Sequence, residues 1–151
     1  MKKFRRLAVA AAALGAAFAL SPVLTGTAAA ANVCGSSFGL VGSYDKSGNG
    51  HSGRLEVYYS SSYRQNCAVL VNTSSDTGSH HGMGVQIKPT GGSVASPGGT
   101  DEGRYLSYAG PVYTSASVDM SGRCVDVKGY IADELFQTEF VSWNLSGAHC
   151  G

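Results

Sequence analysis

Cys34, Cys67, Cys124 and Cys150 are the residues of this chain best equipped for chemistry. A thiol serves as nucleophile, metal ligand or half of a disulfide, and its neighbours and compartment decide which. No Cys-x-x-Cys pair and no His-x3-His spacing accompanies them, so no metal site is expected, although His149 adjoins Cys150. An even number of cysteines in an exported chain reads as two disulfides. Four cysteines allow about three connectivities, and spacing alone does not choose among them. The preferred pairing is Cys34–Cys67 with Cys124–Cys150, which ties each chain end to a strand nearby in sequence. A terminus is loose unless something holds it. Cys67 and Cys124 each open a run rich in β-branched residues, CAVLV and CVDVK, whose side chains must take definite faces.

Other groups are weaker candidates. His80 and His81 follow Ser79 and Asp76, so a Ser-His-Asp triad can be imagined. The expectation is instead a solvated turn carrying two imidazoles, with His51 exposed in the polar segment SGNGHSG. Asp101-Glu102 and Asp133-Glu134 are adjacent carboxylates, but neighbours on an extended chain point opposite ways and make no acid/base couple. Asp126 alternates with Val125 and Val127 and should face solvent. No catalytic residue is assigned, and the chain is read as a non-enzyme. Tyr58, Tyr59, Tyr105, Tyr108 and Tyr113 are the candidates for a flat aromatic binding face, able to stack on sugars or pack on a partner.

The elements that must position these groups are short. Runs such as RLEVYY, CAVLV, GVQIK, CVDVK and EFVSW are β-branched, aromatic and alternating, and Gly, Ser, Thr and Asn interrupt them often. The spacing predicts an all-β fold, a small antiparallel sandwich or barrel of seven or eight strands. Its expected core is Leu55, Val57, Val69, Val71, Val85, Ile87, Val112, Val125, Val127, Phe140 and Trp143. A domain of this size buries about two-thirds of its unfolded surface, so no cofactor is needed to complete the core. The segment GGSVASPGGTDEG, Gly91–Gly103, reads as an exposed loop.

The first residues read as an address. Lys2, Lys3, Arg5 and Arg6 precede the apolar run LAVAAAALGAAFAL, then Pro22 and the small residues LTGTAAAAN. That is the layout of a secretory signal peptide, residues 1–30, followed by a single disulfide-bonded β domain over 31–151. The apolar run is short of the roughly 20 residues a membrane span needs, so no membrane attachment is expected after cleavage. Of 11 Lys and Arg, the leader takes four, leaving 7 basic groups against the same 10 acidic ones. A mildly acidic body does not suit a polyanion, which excludes a general nucleic-acid binder.

The C-terminal half carries YLSYAGPVYTSA, GRCVDVKGYI and GAHCG, and the N-terminal half NVCGSSFGLVGSY and RLEVYYSSSYRQNCAVLV. In these segments, and in all four cysteines, the chain resembles the spore-associated protein A family of filamentous actinomycetes. The stretches Ser74–Gly82 and Gly91–Gly103 depart from that resemblance. It implies a small exported protein found with the spore or cell surface of a sporulating bacterium, and it carries over no catalytic motif. The alternatives are a secreted protease inhibitor, with Gly91–Gly103 as its loop, or a small carbohydrate-binding module.

Overall fold

The computed structural model describes residues 32–76 and 78–150; the expected leader lies outside the described residues. Eight strands follow in order: β1 (Gly39–Gly48), β2 (His51–Ser60), β3 (Gln65–Asn72), β4 (His81–Pro89), β5 (Thr100–Tyr105), β6 (Tyr108–Tyr113), β7 (Val125–Ala132) and β8 (Glu139–Ala148). They form two four-stranded antiparallel sheets, one ordered β1-β2-β3-β6 and the other β5-β4-β7-β8. The fold is all-β, and among the described residues no helix is long and apolar enough to cross a membrane.

The alternating runs build the space between the sheets. Leu55, Val57, Ala68, Leu70 and Val112 from one sheet meet Met83, Val85, Ile87, Val125, Val127, Ile131 and Trp143 from the other, all buried. Antiparallel pairing keeps partners on one face: Leu55 lies opposite Leu70, and Ile87 opposite Val127. Three expected core residues sit elsewhere. Val69 is fully buried but on the outer face of the first sheet, Val71 is partly buried beside it, and Phe140 is partly buried at the rim of the main core. Alternation along CAVLV dictates this, because Ala68 and Leu70 take the inner face and their neighbours must take the other.

That outer face is apolar because residues 33–38 cover it. Val33, Cys34 and Phe38 pack on Tyr58, Cys67, Val69 and Tyr113, forming a second, smaller core. The Cys34–Cys67 bridge lies within it, and Cys124–Cys150 ties the chain end to the mouth of β7. The preferred pairing is therefore the one present.

Two boundaries differ from expectation. The Gly-rich segment Gly91–Gly103 is not all loop, since Thr100–Gly103 begins the edge strand β5. Tyr105 closes that strand and Tyr108 opens the next. The segment SGNGHSG is no loose loop either. Asn49 and Gly50 have φ of 50° and 80°, the two left-handed residues of a type I′ turn, and His51 begins β2.

The sheets are stitched at both edges. On one side the Trp143 indole N–H donates to the Tyr44 carbonyl at 2.9 Å, linking β8 to β1. On the other, the Asp101 carboxylate of β5 accepts the Gly110 amide of β6 and the Tyr105 hydroxyl, each at 2.7 Å. That hydrogen bond, aided by burial, pushes the Tyr105 hydroxyl up to about 12.

Candidate functional site

The five tyrosines do not share a face. Tyr58 is buried and Tyr113 half-buried under the N-terminal segment, where Phe38 meets the Tyr113 ring edge-on at 5.6 Å. Tyr58 donates its hydroxyl to the buried Glu56 at 2.6 Å, and desolvation with that carboxylate drives its pKa well above the usual phenol range. Tyr59 and Tyr105 pack against the main core. Tyr108 alone is exposed. The expectation of one flat aromatic surface fails because β2, β5 and β6 carry these rings to both faces of one sheet and to the edge of the other.

A different tyrosine marks a surface groove. The outer face of the β5-β4-β7-β8 sheet holds a groove of about 240 Å3 lined by Gln86, Thr100, Glu102, Lys128, Tyr130 and Glu139 among others. Gly84 of β4 shapes its floor, because the Tyr130 ring occupies the place where a side chain at 84 would stand. Burial, and then the neighbouring Glu102 carboxylate with Glu139 beyond it, hold the Tyr130 hydroxyl protonated far above the ordinary range. The groove therefore offers a neutral phenol, two carboxylates, an amide, a hydroxyl and an ammonium around one half-buried ring. Tyr130 sits in KGYIA after Gly129, which gives it the polar face of β7 by alternation with Gly129 and Ile131.

Elsewhere the C-terminal tail closes a second pocket, of about 300 Å3. His149 receives or donates a 2.7 Å hydrogen bond with the Tyr44 hydroxyl and packs on Gly42, where no side chain would fit. Desolvation lowers its pKa, so the tail favours the neutral imidazole. Asp126 is a structural acceptor: the Gly147 amide, the Thr90 hydroxyl and the Ser146 hydroxyl all donate to its Oδ1, and they hold its pKa below the usual carboxylate value.

The histidines lie otherwise than expected. His80 is exposed, but His81 is buried as the first residue of β4, and His51 is half-buried as the first residue of β2. The two imidazoles meet edge-to-face at 5.0 Å, and His51 stacks on Phe140 at 3.9 Å. Asp76, from the β3–β4 connection, reaches both: its Oδ2 lies 3.0 Å from His81 Nε2 and 3.7 Å from His51 Nδ1. A triad would need a nucleophile here, and among the described residues no serine hydroxyl is hydrogen-bonded to either imidazole. Gly35-Ser36-Ser37-Phe38-Gly39 does spell Gly-x-Ser-x-Gly. Here it forms turns that lead into a strand, whereas a nucleophile elbow is a strand entering a helix.

The structure thus defines a class: a small antiparallel β-sandwich whose two ends are clamped by disulfides, with a polar groove on one sheet and a His-Asp-His cluster at one end. No protein-family model matches the chain, and no solved structure matches it. A relative from Streptomyces coelicolor, Spore-associated protein A, is 34% identical over 145 residues, covering 96% of this chain and 79% of the relative. The chain belongs to the spore-associated protein A family.

Proposed function

We propose that this protein is exported, associates with the spore or cell surface of a sporulating bacterium, and acts there by binding, not by catalysis. The observation that carries the reading is the similarity, over nearly the whole chain, to a relative named for spore association. Two further features support it. Both cysteine pairs are oxidised, which suits an environment outside the reducing cytoplasm. The first residues have the layout of a secretory leader. Fractionation of a sporulating culture with a specific antibody is expected to recover the processed chain with washed spores or in the medium. Recovery confined to the cytosol would refute the proposal.

The groove around Tyr130 favours the carbohydrate-binding alternative as the mode of attachment. A half-buried aromatic ring gives a sugar an apolar face to stack on, and ringed carboxylate and amide groups accept and donate to its hydroxyls. Purified protein is expected to sediment with cell-wall or spore-coat glycan, and Tyr130→Ala to cut the bound fraction at least fivefold with its circular dichroism unchanged. Undiminished binding by that variant would remove the groove from the mechanism.

A further inference from the structure

We infer that His51, Asp76 and His81 form a binding site for a divalent transition-metal ion, with Zn2+ the leading occupant. The ligand atoms of these three residues all lie within 4.8 Å of one another. Around a tetrahedral zinc with bonds of about 2.0–2.2 Å, ligand atoms stand roughly 3.4 Å apart. The observed separations of 3.0 and 3.7 Å about Asp76 Oδ2 bracket that value.

The hydrogen-bond accounting points the same way. His51 Nδ1, His81 Nε2 and Asp76 Oδ1 are buried polar atoms with no hydrogen-bond partner, and all three belong to this cluster. His81 Nε2 comes within 3.0 Å of Asp76 Oδ2, but the approach lacks hydrogen-bond geometry, so the contact does not satisfy the nitrogen. Buried polar groups in native proteins almost always have partners. Two buried imidazole nitrogens left without a partner, each facing Asp76 Oδ2, are what a missing shared partner leaves behind, and a cation is attracted to two imidazole lone pairs and a carboxylate together. The His81 side chain is 5% exposed and aimed into the cluster, so it is no surface residue that happens to lie near another.

The chemistry of the set selects the ion. Two imidazoles with one carboxylate suit Zn2+, Cu2+, Ni2+ or Fe2+, whereas Ca2+ and Mg2+ prefer all-oxygen ligands. Three protein ligands leave a tetrahedral ion one open position. His51 also lines a shallow depression with Ser47, Ser52, Thr73 and Ser74, which gives the ion a polar route from solvent. The ligands come from the starts of two strands and from the connection between β3 and β4, so the ion would fasten that connection to the sandwich end. The disulfides leave no free thiol to compete for it.

The test uses the purified, oxidised full domain, stripped with a chelator and dialysed. Zn2+ titrated by calorimetry is expected to bind at one equivalent per chain with a micromolar or tighter Kd and to raise Tm. Co2+ in its place should give visible d–d bands of a four-coordinate nitrogen/oxygen site, with no thiolate charge-transfer band. Asp76→Asn and His51→Ala should each weaken Zn2+ binding by at least the ~10–100-fold that even outer partners of metal ligands cost. His80→Ala, next door but exposed, should leave Kd unchanged. If His81→Ala fails to fold, the half-buried Asp76 and His51 variants still decide. The inference is overturned if no stoichiometric binding occurs at 100 µM Zn2+. It is equally overturned if binding survives in Asp76→Asn and His51→Ala, or is lost with His80→Ala.

Discussion

Replacing Cys34 and Cys67 together by Ala is expected to lower stability more than the same change at Cys124 and Cys150. Chain entropy does not separate the two bridges. Their closures span 33 and 26 residues, and each is worth roughly 3.5 kcal/mol in that treatment. Packing separates them. Cys67 is fully buried and Cys34 nearly so, inside the second core with Phe38, Tyr58 and Val69, while Cys150 is exposed. Without its bridge, the segment Val33–Phe38 loses its anchor and the outer face of β2 and β3 opens to water. Re-exposing a Phe-sized side chain adds about 1.5–3 kcal/mol. The total, about 5 kcal/mol, is a large share of the 5–15 kcal/mol that holds a domain together. Thermal unfolding should show a Tm drop of about 15–25 °C for the first pair and about 10–15 °C for the second. Limited proteolysis should cut first near Val33–Phe38 in the former variant. Equal Tm losses, or a larger loss at Cys124–Cys150, would show that the N-terminal segment contributes no packing of its own.

The same second core explains why the chain was only partly readable. β2, β4 and β7 announce themselves through alternation, and their pairs Leu55 and Val57, Val85 and Ile87, and Val125 and Val127 all face the main core. The disulfide pairing was readable for a related reason, since a cysteine opening an alternating run has a fixed face and a loose terminus can come to it. Val69 shows the limit. Alternation says it opposes Leu70, but not that residues 33–38 will fold back to cover it. β5 was hidden because an edge strand with one solvated face can be written in polar residues. Its inward positions are Asp101, Gly103 and Tyr105, opposite Val85, Met83 and His81. The Asn49-Gly50 pair is a legible hairpin signal set within a polar stretch. The His51-Asp76-His81 cluster carried no local signal, because its members lie 25 and 5 residues apart and meet only through sheet topology.

Trp143→Ala is expected to be the most damaging single substitution in the main core, at about 3–5 kcal/mol. Trp143 is the sole tryptophan, 6% exposed, and stands opposite Gly129 in the β7–β8 ladder. Its ring spans the gap toward β2 while its N–H reaches the Tyr44 carbonyl of β1, so one side chain both fills the core and closes the seam between sheets. Gly53 in β2 makes the room. A Cβ there would stand 2.8 Å from Trp143 Cη2, 2.6 Å from Ile131 Cδ1 and 3.1 Å from the Val71 carbonyl oxygen. Gly53→Ala should therefore cost about 1–3 kcal/mol by overpacking. Trp143→Phe keeps most of the ring but drops the indole donor, and that hydrogen bond is worth about 1 kcal/mol. The decisive measurement is the double-mutant cycle by urea unfolding followed by far-ultraviolet circular dichroism. With the indole removed, the methyl at 53 enters vacated space, so Gly53→Ala should cost at least 1 kcal/mol less in the Trp143→Ala background than in the wild type. Additivity within about 0.5 kcal/mol would mean that Ile131 and the Val71 carbonyl, not the indole, set the limit at position 53. Trp143 would then act as a seam residue alone.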